Sequence, residues 1–434
     1  VWGGWSAKAP YAPSGPGIDI VQKLGAKWVT TTPASFVERE GFKNYSEEAL
    51  RKGMNNFLTA YADKGLGMIA QGNEPHGKGQ IVHDNVRAYR AIYESVKAFD
   101  PQITVLGTSV EANEEYFQAG FQNYLDAYDF HIYEHYSKVR REMQHYRELM
   151  RKYDAVKPIH STELGLNSQG QTRLAVAREL IKKCSVFFAE GGATVSWFTI
   201  QYPDLKGRAR GQAGDSHCVF DCKYNLYNPR LDAVVHYHVL NSILDKKFVD
   251  EKQYDKGVQS FLFRNEGGDC LQVIWCDEQP QHVQVAFPED TTVKLVRIDG
   301  SQLNLHSRQK KIAVTASENP ILLLYKSPQT ELPKAIQPAP FTANVFPTKS
   351  NPADASKPSA ELFLVGEGPQ SEEIQISGPP QLKATIQKEE TGRVVFSLNV
   401  PTGNLNESEG VRVQLGSGNS VNGELTATIV RSDR

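Results

Sequence analysis

Two glutamates stand at the ends of two short, largely uncharged stretches of the sequence. Glu74 lies near the end of the segment 68–75, and Glu163 lies near the end of the segment 158–165. Uncharged runs of this length are typical of strands that are covered on both faces. The carboxyl ends of barrel strands are where (β/α)8 enzymes hold their catalytic groups. Two carboxyl groups at such positions are the minimum equipment for glycoside hydrolysis, with one as acid/base and the other as nucleophile or base.

Further polar side chains recur on a third predicted strand, 129–136. His131, Tyr133 and His135 alternate along it, so all three should point to the same side of the sheet. An inward direction would let Tyr133 hydrogen-bond Glu163 and let His131 line a substrate site. Periodicity alone does not choose the side, and a packing role for the three residues is an equal alternative.

The elements that must position these residues alternate between strands and helices. Seven strands are predicted, beginning at Trp2–Trp5, and the intervening helices include one that starts at an N-cap, Ser46. Strict alternation with short connections indicates a parallel sheet. A closed (β/α)8 TIM barrel needs eight strands, so we expect the first strand to lie upstream of residue 1.

The pattern changes after this region. We predict a (β/α)8 barrel over 1–250 and a small antiparallel β-sandwich over 251–327, where short strands of period two alternate with turn signals. Proline recurs through 328–359, which predicts an extended, solvated linker. Strand patterns return over 360–434, where we predict an Ig-like β domain with a surface-interaction role as one alternative.

Composition excludes several classes of function. The 434 residues carry a net charge of −2, which does not favour binding to nucleic acid or to an anionic membrane. No apolar run reaches the roughly 18 residues of a membrane span.

Cys218 and Cys222 could pair or be free, and with His217 they give only a weak zinc signal. The basic run 206–210 is read as a solvated face, with an acidic sugar as the alternative ligand.

Several stretches, taken in order, resemble the retaining (β/α)8-barrel glycoside hydrolases of clan A. The resemblance is closest to glycoside hydrolase family 39 and related glycosidases with an appended β-sandwich. Its most specific motif is the strand-4 sequence Gly72-Asn73-Glu74-Pro75. The other matching stretches are the strand-7 motif Ser161–Gly165, the strand-8 motif Ser196-Trp197-Phe198, the last-loop residues Phe220-Asp221 and Asn228-Pro229-Arg230, and Asp299-Gly300 with Glu318-Asn319-Pro320 in the sandwich.

The resemblance implies a residue-by-residue reading of the site. Glu74 would be the acid/base and Glu163 the nucleophile of a double displacement on a β-glycosidic bond. The substrate-binding residues would be Asn73, His131, Tyr133, Trp197 and His135, with Asn73 on the sugar 2-OH. No metal and no cofactor is implied.

The expected partner is an oligo- or polysaccharide substrate, with an extracellular, periplasmic or cell-surface location. The alternative function is a non-catalytic carbohydrate-binding or scaffolding protein built on an incomplete barrel.

Overall fold

The computed structural model describes the chain in two compact units, 1–233 and 234–434. The described residues are 2–3, 21–32, 37, 41–43, 46–75, 78–107, 109, 111–199, 217–221, 228–253, 257–307, 310–327 and, beyond these, the strands of the second unit given below.

Seven parallel strands form the centre of the first unit. They are β1 (Trp2–Gly3), β2 (Trp28–Thr31), β3 (Leu66–Ala70), β4 (Thr104–Leu106), β5 (Tyr128–Ile132), β6 (Ile159–Leu164) and β7 (Thr194–Trp197). Each strand lies beside its neighbour in the sequence: β1 to β4 form one sheet, β5 to β7 another, and a parallel bridge between Leu106 and Ala127 links them. All seven carboxyl ends therefore lie at one edge. Closure into an eight-stranded barrel stays a prediction.

Helices connect these strands. They are α1 (Glu47–Tyr61), α2 (Gln80–Phe99), α3 (Glu114–Gln118), α4 (Ser137–Lys152), α5 (Arg173–Ala189) and α6 (Leu231–Ile243). A short antiparallel pair, β8 (Phe220–Asp221) with β9 (Asn228–Pro229), precedes α6. None of the described helices is long and apolar enough to cross a membrane.

Local sequence explains how α1 begins and where its chain turns back. The hydroxyl of Ser46 accepts a hydrogen bond from the N–H of Ala49, so the predicted N-cap is confirmed. Leu50, Met54 and Phe57 recur at helical spacing and are buried. The short 3-10 turn that follows ends at Gly65, whose φ of 83° is left-handed and favours glycine. This turn directs the chain into β3, which carries Glu74 at its end.

Two predicted elements end earlier than the sequence indicates. Strand β5 stops at Ile132 rather than at residue 136, so the inferred alternation does not extend to His135. The helix predicted over 116–125 is instead α3 followed by a 3-10 turn, Phe121–Tyr124. Gly120 between them has a φ of 84°, which is incompatible with a continuous α-helix.

Buried aromatic rings fix β5 within the first unit. Tyr128, Phe130 and Tyr146 of α4 pack together, with ring centroids of Tyr128 and Tyr146 5.3 Å apart. The hydroxyl of Tyr128 donates to the carbonyl of Ala155 at 2.8 Å, which satisfies the polar end of a buried ring. These contacts hold β5, the strand that carries His131, in a fixed position against α4.

The second unit is antiparallel throughout its described strands. The first group comprises β10 (Lys247–Gln253), β11 (Val258–Arg264), β12 (Asp269–Cys276), β13 (Gln281–Ala286), β14 (Thr292–Val296), β15 (Gln302–His306), β16 (Lys311–Ala316), β17 (Ile321–Lys326) and β18 (Lys334–Pro338). They form a sheet in the order β10-β11-β12-β17-β14-β15 and a sheet in the order β16-β13-β18. Apolar side chains from both sheets share one buried core. The finer description of these sheets as a β-sandwich stays a prediction.

The last strands form a second pair of sheets. They are β19 (Phe341–Pro347), β20 (Ala360–Gly366), β21 (Ile374–Ser377), β22 (Lys383–Glu390), β23 (Arg393–Asn399), β24 (Gly410–Ser417) and β25 (Ser420–Thr428), in the orders β19-β20-β23-β22 and β21-β24-β25. An Ig-like arrangement of these strands stays a prediction.

The expected solvated linker over 328–359 is wrong for two stretches. Strand β18 pairs with β13, and β19 pairs with β20 along seven residues. Both lie at the edge of their sheets, and each ends on a proline, Pro338 or Pro347. Proline is tolerated at such positions because an edge strand leaves part of its N–H groups unpaired. The proline-rich composition therefore marked edge strands as well as connections.

Candidate active site

The two glutamates that the sequence singles out meet at the carboxyl ends of β3 and β6. A carboxylate oxygen of Glu74, a carboxylate oxygen of Glu163 and a ring nitrogen of His131 all lie within 4.8 Å of one another. The Glu163 side chain is 9% exposed and that of Glu74 is 42% exposed, so one carboxylate is enclosed and the other faces solvent. Glu74 has a φ of 48°, an uncommon left-handed conformation for a side-chain-bearing residue.

His131 lies between the two carboxylates. Its Nδ1 is 3.0 Å from Oε1 of Glu74 and 3.4 Å from Oε2 of Glu163. The ring is buried, because β5 directs residue 131 towards the neighbouring ends of β3 and β6. This is the inward placement that the resemblance implied.

A hydrogen-bonded group of polar side chains supports His131 from behind. Nε2 of His131 is 2.9 Å from the hydroxyl of Thr162, and that hydroxyl donates to Oδ2 of Asp129 at 2.6 Å. The backbone N–H of Thr162 donates to Oδ1 of Asp129 at 2.8 Å, and Ser109 donates to Oδ2 at 2.9 Å. All four residues are buried, and sequence reasoning did not assign a role to Thr162, Asp129 or Ser109.

Tyr133 contacts the second carboxylate directly. Its hydroxyl donates a hydrogen bond to Oε2 of Glu163. Gly165 makes room for this ring, since a Cβ at that position would lie 2.8 Å from Cε1 of Tyr133. The rings of Phe198 and His217 each pack edge-on against Tyr133, with centroid distances of 5.7 and 5.8 Å.

A buried lysine secures the chain immediately after Glu163. Lys183 of α5 is fully enclosed, and its Nζ donates to the carbonyl oxygen of Gly165. The Glu179 carboxylate lies 3.8 Å from that Nζ. Burial lowers the pKa of Lys183 to about 8, although the charge of Glu179 opposes the shift.

Burial and charge act against each other at the carboxylates. Burial raises the pKa of Glu163, while the neighbouring His131 and the Tyr133 hydroxyl partly offset that rise. Burial opposes the charged form of His131, but the hydrogen bond with Glu74 and the charges of Asp129, Glu163 and Glu74 outweigh it, so the pKa of His131 is raised. Because these groups lie so close together, we expect the titration of each to depend on the charge of the others.

A cavity of about 730 Å³ opens beside these residues. Glu74, His131 and Tyr133 line it together with Glu111 and Glu134. Nζ of Lys138 lies 2.6 Å from the Glu111 carboxylate and 2.8 Å from the Glu134 carboxylate. This cavity is large enough for sugar units and has polar walls that could hydrogen-bond hydroxyl groups.

Three other predicted site residues have different surroundings. Asn73 is exposed at the turn that holds Glu74. Trp197 is 4% exposed, and the ring of its neighbour Phe198 packs against Tyr133. The structure does not bring His135 to the carboxylates: it follows the end of β5, is exposed, and its Nδ1 lies 2.9 Å from the Ser137 hydroxyl. The inference of a shared direction for His135 is wrong because the strand ends three residues before it.

Two comparisons with known proteins gave no relatives. No family model matches the chain, and no curated protein matches it. Solved structures do match, and one of them is a family 39 glycoside hydrolase from Bacteroides cellulosilyticus WH2, with a TM-score of 0.58 and 15% identity over 75% of this chain and 74% of that chain. The chain shares the fold of family 39 and related glycoside hydrolases.

Other matching structures agree on the fold. A glucosidase from Croceicoccus marinus has a TM-score of 0.54 and 13% identity, over 72% of this chain and 81% of that one. BuGH86, solved in complex with neoagarooctaose, has a TM-score of 0.50 and 11% identity, over 95% of this chain and 82% of that one. The resemblance inferred from the motifs is thus confirmed at the level of fold.

Proposed function

We propose that the protein is a retaining glycoside hydrolase that cleaves β-glycosidic bonds in an oligo- or polysaccharide. The observation that carries this proposal is the approach of Glu74 and Glu163 oxygens to within 4.8 Å beside a cavity. Retaining enzymes hold their carboxyl groups about 5–5.5 Å apart, whereas inverting enzymes need roughly 6.5–9.5 Å to admit a water. The short separation favours direct attack by one carboxylate.

The surroundings of the two groups support a division of roles. The Tyr133 hydroxyl donates to Glu163, which stabilises the carboxylate form that a nucleophile needs. Glu74 is the more exposed group, so it can exchange protons with the leaving oxygen and then with water. We therefore assign Glu163 as the nucleophile and Glu74 as the acid/base.

The reaction then follows in two balanced steps. In the first step, Glu163 bonds to the anomeric carbon, the glycosidic C–O bond breaks, and Glu74 gives its proton to the leaving oxygen. In the second step, Glu74 removes a proton from water, the water oxygen bonds to the anomeric carbon, and Glu163 leaves as a carboxylate. Neither step uses a metal or a cofactor.

The remaining predicted contacts belong to the same proposal. Asn73 would hydrogen-bond the sugar 2-OH, and His131 and Tyr133 would line the subsite beside the nucleophile. Phe198 joins them as a candidate sugar contact, because its ring packs on Tyr133, whereas the burial of Trp197 favours a supporting position below. A polysaccharide substrate also implies export to the cell surface or beyond.

The decisive experiment follows the anomer that forms first. The full chain is screened against aryl β-glycosides and β-linked oligosaccharides, and the product of any hydrolysed substrate is followed by proton NMR before mutarotation. We expect the β-anomer first, with activity unchanged by EDTA. Initial formation of the α-anomer would overturn retention, and loss of activity in EDTA would overturn the metal-free mechanism.

Variants at the two carboxylates test the roles. Glu163→Gln should lower kcat/KM by roughly a thousandfold or more while the fold is kept, since the amide cannot form the glycosyl-enzyme. Glu74→Ala should keep measurable activity on aryl glycosides with good leaving groups, and added azide should accelerate it. Survival of full activity in Glu163→Gln would remove the assignment.

The same variants address the alternative of a non-catalytic carbohydrate-binding protein. Titration calorimetry with the wild-type chain and with Glu163→Gln measures sugar binding independently of turnover. Equal binding by both proteins, with no hydrolysis of any bound sugar by the wild type, would favour the alternative.

A further inference from the structure

The buried carboxylate of Asp129 is linked to Glu74 and Glu163 through two side chains, those of Thr162 and His131. Its side chain is 0% exposed and is bonded by the Thr162 N–H, the Thr162 hydroxyl and the Ser109 hydroxyl. A buried carboxylate is costly unless such donors satisfy it. The three donors therefore satisfy the buried carboxylate of Asp129, and they set the direction of the hydrogen bonds around it.

That direction follows from the single hydrogen of the Thr162 hydroxyl. Because the hydroxyl donates to Oδ2 of Asp129 at 2.6 Å, its oxygen can only accept from Nε2 of His131, which lies 2.9 Å away. Nε2 must then carry a hydrogen. The remaining ring nitrogen, Nδ1, faces Oε1 of Glu74 at 3.0 Å and Oε2 of Glu163 at 3.4 Å.

We propose that Asp129 and Thr162 are positioning residues that hold a hydrogen on Nε2 of His131, so that Nδ1 alone exchanges a proton with Glu74 and Glu163. The inference rests on the proposed glycosidase function for its kinetic consequence, but not for the state of the ring. It assigns a role to two residues that touch no reacting atom.

The position of the hydrogen on the His131 ring matters because charged groups surround the ring. The carboxylates of Glu74, Glu163 and Asp129 face His131, and the Tyr133 hydroxyl contacts the same Glu163 oxygen. His160 also lies near Asp129, and burial lowers its pKa, so it favours the neutral form there. With Nε2–H fixed, uptake of a proton at Nδ1 places the positive charge between acid/base and nucleophile, where it helps to keep Glu163 ionised.

Asp129→Asn tests the direction of the relay with almost no change of shape. The Thr162 N–H still requires an acceptor, so the amide oxygen should occupy the Oδ1 position and the NH2 group the Oδ2 position. The NH2 group would donate to the Thr162 hydroxyl, which would then donate to Nε2. The hydrogen of the neutral ring should therefore move to Nδ1.

The readout is ¹⁵N NMR of the full chain labelled at its histidine rings, with the His131 signals assigned by comparison with His131→Gln. We expect Nε2 to stay protonated throughout the pH titration of the wild type and of Thr162→Ser, while Nδ1 titrates. In Asp129→Asn we expect the neutral ring to carry its hydrogen on Nδ1. A mixture of tautomers in the wild type, or an unchanged pattern in Asp129→Asn, would overturn the proposal.

Kinetics supply a second readout that a merely structural role would not change. Asp129→Asn should weaken proton uptake by His131, and the pKa of Glu163 should therefore rise. The acid limb of the pH profile, where kcat/KM increases with pH, should then move up by about one pH unit. Thr162→Ser should keep the wild-type limb. Ser161→Ala is the matched control. Ser161 precedes Thr162 on β6, and its buried hydroxyl donates to the carbonyl of Phe130 on β5 at 2.7 Å. A shift of the limb in Ser161→Ala equal to that in Asp129→Asn would overturn the proposal.

The two readouts separate this inference from the proposed function. If no glycoside is hydrolysed, the ring nitrogens still decide whether the relay exists. If Asp129→Asn does not fold, the wild-type titration decides alone, since protonation confined to Nε2 supports the relay and tautomer exchange overturns it.

Discussion

Glu163 is a buried acid whose neighbours must restore its charge. Burial raises its pKa, and the positive charge of His131 and the Tyr133 hydroxyl act in the opposite direction. A group with a raised pKa in the folded protein loses its proton only above its ordinary range. If Glu163 is the nucleophile, as we propose, activity should increase as the pH rises through that raised value. The acid limb of the pH profile should therefore report Glu163.

Tyr133→Phe tests this reading at a single atom. Removing the hydroxyl withdraws a hydrogen bond that favours the carboxylate, so the pKa of Glu163 should rise further and the acid limb of kcat/KM should move up by about one pH unit. The measurement is kcat/KM across the pH range with one aryl glycoside.

Tyr128→Phe is the control for that change. It also removes a buried hydroxyl, which donates to the Ala155 carbonyl, and should cost about 1 kcal/mol of stability without moving the limb. An acid limb that stays in place in Tyr133→Phe would show that this hydroxyl does not set the charge of Glu163.

At the scale of elements, the end of β6 is shaped by the lack of a side chain at Gly165. Gly165→Ala would place a Cβ 2.8 Å from the Tyr133 ring and 3.2 Å from the Phe198 carbonyl oxygen. We expect the ring to move, the bond to Glu163 to break, and kcat/KM to fall by about tenfold or more with a smaller effect on stability. Kinetics and thermal unfolding of the same preparation measure both effects.

Gly267→Ala is the matched substitution in the second unit. Its Cβ would lie 3.4 Å from the nearest atom, which is ordinary van der Waals contact. It should leave activity and stability unchanged. Equal kinetic losses in the two variants, or none in Gly165→Ala, would contradict the proposed crowding.

Helix α5 carries the buried Lys183, which makes the stability of the protein depend on pH. Its folded pKa of about 8 lies below the ordinary value of 10.5, so between these values the unfolded chain binds more protons and stability rises with pH. The shift corresponds to about 3 kcal/mol. Lys183→Met should abolish this rise. By removing the ammonium group beside Glu179 and the donor to the Gly165 carbonyl, it should also cost about 3 kcal/mol near neutral pH.

Urea unfolding at pH 7 to 10.5 measures both effects. Lys182→Met is the control, because it removes a neighbouring lysine whose Nζ lies over the Tyr136 ring at 5.4 Å. We expect that variant to keep the rise with pH. The same slope in Lys183→Met and the wild type would show that Lys183 does not titrate in this range.

At the scale of the whole molecule, each unit carries a buried thiol that reports on its own unfolding. Cys184 lies in the first unit and Cys270 in the second. Burial raises the pKa of the Cys184 thiol to about 12 and that of Cys270 to about 11. The thiolate is the reactive form, so both residues should be inert in the native protein.

Alkylation in increasing urea, with peptide mapping by mass spectrometry, measures this protection. We expect no modification of Cys184 or Cys270 in native buffer and modification of each as its unit unfolds. Rapid modification in native buffer would contradict the burial of that unit's core.

The sequence by itself determined the fold class and the two carboxylates. Alternating elements indicated a parallel α/β unit, and period-two strands indicated an antiparallel second unit, because each pattern repeats locally along the chain. Glu74 and Glu163 could be found because each stands where a buried strand ends, and ends of parallel strands meet at one edge. The edge strands β18 and β19 were missed because proline is compatible with both a linker and an edge.

Only the tertiary structure decided how the two carboxylates are supported. The contacts among His131, Thr162 and Asp129, and that of Lys183 with Gly165, join positions far apart in the chain, and no local pattern encodes their distances or hydrogen-bond directions. In the sequence, Asp129 and Thr162 are polar residues within predicted strands, and Lys183 is a lysine on a predicted helix. Each of these patterns is equally compatible with a solvated side chain. Their meaning depends on burial, which the fold alone creates by packing α5 and β5 against the end of β6.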